Sequence, residues 1–257
     1  MTHPKVSFQN ICKSFGDNTV LSDVCLDVHQ GESLVILGGS GTGKSVLLKC
    51  MMGLLIPDSG RVFIDTIDIT HLSESPRAKV HAQIGMLFQN GALFDSMTVA
   101  QNIAFALTAG RGKKLHQVID RVYACLQSVG LSQQVAQKSP ADLSGGMRKR
   151  VALARAIAAY PQIILFDEPT TGLDPITTTT IDELIRHTVK AIGATTITIT
   201  HDIGSARRIA DRVAFLYAGK IVWYGTVQDM DTTDNPFVHQ FINGLSEGPI
   251  CWAKGSC

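Results

Sequence analysis

The chain has 257 residues, with 23 Lys and Arg against 22 Asp and Glu and a formal net charge of +1. That length supports one large α/β domain or two small lobes, and the near-neutral balance gives no electrostatic reason to expect nucleic acid or an anionic membrane surface as the main partner. Six cysteines (Cys12, Cys25, Cys50, Cys125, Cys251 and Cys257) form no C-x-x-C pair, which argues against a metal or disulfide framework and makes reduced thiols the expectation.

The N-terminus, Met1-Thr2-His3-Pro4-Lys5, lacks the apolar core of a signal peptide. No apolar run approaches the roughly 18 residues of a membrane helix, so a cytosolic chain is expected. Neither an internal repeat nor a low-complexity segment is visible. Alternating apolar and polar residues predict strands at 6–8 and 24–28. The apolar run 33–37 reads as a buried parallel strand, and 46–52 as a helix. Strands are expected at 60–64 and 84–88. From 99 to 159 the pattern is helical, with Leu115, Val118, Val122, Leu126 and Val129 at helical spacing. β and α then alternate: strand 163–166, helix 177–192, strand 195–200, helix 203–210, strand 213–217. Such alternation predicts a mostly parallel sheet covered by helices, with the central helical block as an inserted subdomain. The pattern thins after Gly225, and Asn235-Pro236 opens a short C-terminal helix.

Gly38-Gly39-Ser40-Gly41-Thr42-Gly43-Lys44-Ser45 fits the G-x-x-x-x-G-K-[ST] phosphate loop at every fixed position, between a strand and a helix as that motif requires. Glycines let the backbone wrap phosphates and aim N–H groups at them, and the helix start adds a positive dipole end. Lys44 supplies a charge for the β- and γ-phosphates, and the Ser45 hydroxyl is a Mg²⁺ ligand. Asp167 and Glu168 end an apolar strand, where ionised side chains are costly unless a cation or a reaction uses them. Asp167 suits a water-mediated hold on Mg²⁺; Glu168 suits a general base for the attacking water. The bland alternatives are a glycine-rich turn and a helix N-cap at a strand end.

A second Ser-Gly-Gly turn, Leu143-Ser144-Gly145-Gly146-Met147, precedes the acidic strand by one helix length. This order resembles the ATP-binding subunit of an ABC (ATP-binding cassette) transporter across nearly the whole chain. The resemblance implies a phosphate-loop NTPase fold of the ABC ATPase type: α/β, with a mostly parallel sheet core, an N-terminal antiparallel β subdomain and an inserted helical subdomain. It implies an ATP-binding domain over 1–230, with the helical insertion at about 90–160, and a short C-terminal helix and tail over 231–257. Gln89 would touch Mg²⁺ and the attacking water. Ser144, Gly145 and Gly146 would face ATP held by a second subunit, so the site would be complete only in a homodimer. Met147 stands where the family commonly has Gln. Asp174, in Thr170-Thr171-Gly172-Leu173-Asp174, would couple the two sites. His201 would contact the γ-phosphate, and Phe15 would stack on adenine. Arg148-Lys149-Arg150 reads as a solvated basic face.

Two stretches narrow the resemblance. Met86-Leu87-Phe88-Gln89-Asn90-Gly91-Ala92-Leu93-Phe94-Asp95-Ser96-Met97-Thr98-Val99 and the tail from Phe241 to Ile250 resemble the MCE-associated phospholipid-transport ATPases of the maintenance-of-lipid-asymmetry type. That implies ATP and Mg²⁺ as cofactors and a position on the cytoplasmic face of the inner membrane. The implied partners are a membrane permease, an MCE-domain lipid-binding protein and a small cytosolic accessory subunit, with no nucleic acid. The rivals are the ATPase of a small-solute importer, for example for amino acids, and a soluble ABC protein acting on ribosomes, DNA or iron–sulfur assembly. A generic phosphate-loop kinase leaves Leu143–Met147 unexplained.

Overall fold

Alternation at the N-terminus builds antiparallel strands, as expected, but longer ones. In the computed structural model, which describes residues 3–109 and 112–251, β1 (Val6–Phe15) pairs with β2 (Asn18–Val28), Val6 facing Val28. The strands outrun the expected 6–8 and 24–28 because bulges interrupt the alternation that reveals them. Asn10 and Asp23 take left-handed φ of 52° and 54°, and Asn10 Nδ2 donates to Asp23 Oδ1 at 2.7 Å.

By Cα packing the chain forms two units, one of Met1–Ser73 with Ile199–Cys257 and one of Glu74–Thr198. In the first, β3 (Ser33–Leu37) leads into α1 (Lys44–Met51). The next strands, β4 (Ser59–Ile64) and β5 (Ile67–Asp68), complete an antiparallel sheet of order β2-β1-β4-β5.

The second unit opens with α2 (Glu74–His81), which has only Val80 buried and so carries little apolar periodicity to read. β6 (Ile84–Leu87) follows, then α3 (Val99–Thr108), α4 (Ile119–Ser128) and α5 (Gly145–Ile157). The expected helical stretch is thus three helices joined by short 3₁₀ turns and loops, and Gly110 and Arg111 lie outside the described residues. Thr98 and Gln101 form a capping box at the start of α3. Arg121 of α4 donates to Ile157 O at 2.8 Å and Ala158 O at 2.9 Å, satisfying carbonyls at the end of α5. The chain continues through β7 (Ile163–Asp167), α6 (Pro175–Ile192) and β8 (Thr195–Thr200). β7 runs parallel to β6, with Ile84 facing Ile163 and Leu87 facing Phe166, and has β8 on its other side.

Back in the first unit come α7 (Ile203–Ile209), β9 (Arg212–Tyr217), β10 (Lys220–Thr226), α8 (Val227–Thr232) and α9 (Pro236–Asn243). β9 is parallel to β3, pairing Leu37 with Phe215, and β10 returns antiparallel to β9. β10 was not expected. Its hairpin turns on Ala218 and Gly219 at φ 47° and 76°, without the Asn-Gly or Asp-Gly pair that announces such a turn. Parallel strands with helices, an antiparallel N-terminal sheet and a helical segment between β6 and β7 make this an α/β protein of the expected class. Cys12, Cys25, Cys50 and Cys125 are free thiols, as expected; Cys257 lies outside the described residues. Among the described residues no helix is long and apolar enough to cross a membrane.

Candidate active site

In the first unit, β3 delivers the phosphate loop as a tight turn. Gly43, at φ 104°, caps α1; a Cβ there would lie 2.8 Å from the Leu21 side chain and 2.9 Å from Val20 O. A Cβ on Gly38 would meet Leu216 O at 2.4 Å. Both positions are therefore closed to any side chain. Gly39 is buried, while Ser40, Gly41 and Ser45 are exposed on the rim. The Thr42 hydroxyl donates to Gly39 O at 3.0 Å. Lys44 is buried, and its ammonium donates to Gly38 O at 2.8 Å and Gly39 O at 2.7 Å, so the loop carbonyls hold the charge inside the turn. His201 follows β8, exposed, one residue before Asp202, which caps α7 by accepting Ser205 N–H at 2.6 Å. Phe15 ends β1 half exposed, at 50%, with Lys13 Nζ 5.6 Å from its ring centroid. An open aromatic face of this kind is available for stacking on a flat base.

In the second unit, four buried residues of β7 end at Asp167, with Asp167 and Glu168 at its half-buried tip. Glu168 takes a left-handed φ of 48°, an unusual conformation for a residue with a long side chain, and its Oε2 accepts the Thr171 hydroxyl at 2.9 Å. Lys149 is 6% exposed. Its ammonium donates to the carbonyl of Gln89 and, at 3.5 Å, to that of Glu168. Burial pushes this ammonium below its ordinary pKa, while Asp167 and Glu168 pull it back up. This corrects the reading of Arg148-Lys149-Arg150 as a solvated face. Arg148 is exposed but donates to Leu143 O at 2.6 Å, and Arg150 donates to Val129 O at 2.8 Å. Three consecutive residues fan over about 200° of the helix, and the phase of α5 turns the middle one inward.

The Gln89 side chain is exposed, and the loop after it is shaped by two residues with no motif to mark them. Arg155 donates to Gly91 O at 2.6 Å and Ala92 O at 2.7 Å. Asn102, fully buried, accepts Phe94 N–H at 2.8 Å and donates to the carbonyls of Phe94, Met97 and Thr98 at 3.1–3.3 Å. Ser144 caps α5 by accepting Met147 N–H at 3.3 Å, with Gly145 and Gly146 in its first turn. A Cβ on Gly146 would come within 3.1 Å of Thr177, so this turn lies against the start of α6. Asp174 caps α6, accepting the N–H groups of Ile176 and Thr177 at 3.1 and 2.9 Å and the Thr177 hydroxyl at 2.5 Å. That hydroxyl, and then the N–H groups, hold its carboxyl below the ordinary value.

The second unit thus brings Gln89 and Glu168 onto one ammonium, and the first gathers residues 38–45 around Lys44. Comparison with known proteins gives the family. The ABC transporter family profile matches residues 21–171. The probable ribonucleotide transport ATP-binding protein mkl of Mycobacterium leprae is 43% identical over 95% of this chain and 70% of its own length. The intermembrane phospholipid transport system ATP-binding protein MlaF of Escherichia coli is 36% identical over 95% of this chain and 91% of its own. Among solved structures, the dimeric ATP-binding cassette MJ0796 in a post-hydrolysis state bound to ADP and Pi superposes with a TM-score of 0.78 at 33% identity, covering 86% of this chain and 98% of that one. The chain belongs to the ABC transporter family, as its ATP-binding and ATP-hydrolysing subunit.

Proposed function

We propose that this subunit powers phospholipid transport between two membranes, as a homodimer on the cytoplasmic face of a permease that works with an MCE-domain partner and a small accessory subunit. The observation that carries the reading is the near full-length match to a phospholipid-transport ATP-binding protein, 95% of this chain against 91% of that one. The loop after Gln89 supports it. Phe94 is 41% exposed, Leu93 and Met97 are half-buried beside it, and Phe94 packs on Phe105 at 4.8 Å between ring centroids. A cavity of about 370 Å³ lined by Met97, Gln101, Phe105 and Leu115 adjoins. Apolar surface of this kind is suited to a membrane subunit that covers it.

For the chemistry, Lys44 and the N–H groups of residues 39–45 hold the β- and γ-phosphates, and Phe15 stacks on the adenine. Ser45 of the first unit, and Asp167 and Gln89 of the second, carry hydroxyl, carboxylate and amide oxygens, the hard donors that would hold Mg²⁺. When bound, Mg²⁺ offsets phosphate charge. Water attacks the γ-phosphorus, the bond to the β-phosphate oxygen breaks, and Glu168 takes the proton of the attacking water. His201 orients that water. Ser144, Gly145 and Gly146 present a helix start to the ATP of the second copy, and Asp174 holds the start of α6 that relays between the two sites.

A second reading, small-solute transport, has its support in the 42% match, over 88% of this chain and 67% of its own length, to the methionine import ATP-binding protein MetN 2 of Rhodococcus jostii. The deciding experiment is to recover the chain with its permease from membranes and place the complex in liposomes. Labelled phospholipid should move only with MgATP, and Phe94→Asp should abolish that movement while sparing ATP binding. ATP turnover that responds to a ribonucleotide or an amino acid but not to lipid would overturn the phospholipid reading.

A further inference from the structure

After α9 the chain reverses at Gly244, φ 61°, and runs back along its own helix. Gln240 of α9, 3% exposed, clips this returning segment. Its Oε1 accepts Ile250 N–H at 2.7 Å, and its Nε2 donates to Ile250 O at 3.2 Å and Leu245 O at 3.3 Å. The segment wraps the amide closely. A Cβ on Gly248, at φ 151°, would lie 2.4 Å from Gln240 Cδ, so a side chain there would displace the Gln240 amide. Ile250 is buried by this arrangement.

The clipped segment then bonds to the end of β9. The Tyr217 hydroxyl donates to Pro249 O at 3.4 Å and accepts Cys251 N–H at 3.1 Å. Phe241 meets Phe215 edge-on at 4.9 Å, and Phe237 meets Tyr217 at 5.1 Å. This end of β9 is the wall on which the phosphate loop is seated. Phe215 pairs with Leu37, the residue before the loop, and Gly38 sits so close to Leu216 O that no side chain fits between them. Elsewhere the loop rim faces open space. A cavity of about 440 Å³ separates residues 39–42 from Phe241 and Ile250. Packing across a gap does not fix the rim, so residues 39–42 are positioned from their two ends: the β9 wall at Gly38, and Leu21 and Val20 at Gly43.

We propose that residues 244–251 form a strap on their own chain, and that Gln240, by clipping it, is a positioning residue for triphosphate binding at the phosphate loop. The proposal rests on the ATP-binding role given to that loop above. Loss of the clip leaves the N–H and carbonyl of Ile250 without partners in a buried place, which is costly. The strap then lets go of Tyr217, and the loop's wall loosens while Lys44 and Ser45 are chemically unchanged.

The test is MgATP affinity of the full chain, measured by titration well below the melting midpoint. Gln240→Leu and Ile250→Asp should each weaken binding about 10-fold, the factor that about 1.4 kcal/mol of lost hydrogen bonding implies. Gln240→Glu keeps the acceptor for Ile250 N–H and should fall between. Glu247→Ala, on the exposed side of the strap, should leave affinity unchanged. A merely structural strap would lower the melting midpoint and leave affinity alone, so variants that bind within twofold of wild type overturn the proposal. Should Gln240→Leu fail to fold, Ile250→Asp and Gln240→Glu decide by the same criterion. If wild type binds MgATP, Lys44→Ala does not, and the strap variants bind normally, only the strap fails. If wild type binds no MgATP, the ATP role of the loop fails and the strap's role falls with it.

Discussion

Replacing Lys149 by Met keeps the length of the side chain and removes its charge and donors. In the native protein that ammonium ties the carbonyl of Gln89 to that of Glu168. A hydrogen bond with a charged donor contributes about 1.5–3 kcal/mol. Part of that is offset, because burial disfavours the charged form and holds its pKa down. A net loss of about 1–2 kcal/mol follows, or about 2–8 °C in melting midpoint for a chain of this size. The effect on turnover should be larger. Without the tie, the Gln89 loop and the tip of β7 move independently, and a misplacement of about 1 Å at a reacting group costs about 100-fold in rate, about 2.7 kcal/mol in barrier. Circular-dichroism melts and steady-state hydrolysis of saturating MgATP read the two quantities separately. Lys149→Arg, which retains donors, should recover part of both. Lys149→Met with turnover within twofold of wild type would refute the idea that this clip aligns the two loops.

Two further outcomes follow from the site. On the proposed composite site, in which each ATP takes Lys44 from one copy and Ser144–Gly146 from the other, Lys44→Ala and Ser144→Arg should each be inactive alone, and mixing them should restore at most one site per heterodimer; full hydrolysis by either homodimer would contradict a composite site. Asp174→Asn should expose the role of the Asp174 charge at the start of α6. The folded-state pKa of Asp174 is depressed below the ordinary 3.8, so its stabilisation is complete above that value and disappears as pH falls through the depressed one. The melting-point gap between wild type and Asp174→Asn should therefore be level near neutrality and close in acid, and a gap that persists there would remove the carboxylate from this role.

What the sequence revealed of this protein is what local chemistry dictates. A glycine loop between a buried strand and a helix, and two carboxylates at the end of an apolar strand, are legible because each is improbable without a phosphate or a cation to use it. α6 begins two residues before the expected 177, because Asp174 caps it and Pro175 opens it. Lys149 was hidden because three consecutive basic residues look solvated until the helix phase is known, and burial of one depends on which face of α5 meets its neighbours. Asn102 and Arg155 act on loop carbonyls far away in sequence, and a side chain bonding to backbone leaves no partner residue to recognise. The same holds for Gln240, whose three partners are main-chain atoms of Leu245 and Ile250. β10 escaped because Ala218 takes a turn conformation usually given to Asn or Gly, and the full length of β1 and β2 was masked by their bulges.

The central claim, that this chain hydrolyses ATP with Glu168 as the base, is tested most directly by Glu168→Gln. The amide keeps the shape of the side chain and the bond from Thr171 but cannot take the proton. Turnover should fall about 10²–10⁴-fold, the usual contribution of a general base. Affinity for MgATP should persist, and size-exclusion chromatography in ATP should show a lasting dimer. Near-normal turnover by Glu168→Gln would contradict the account.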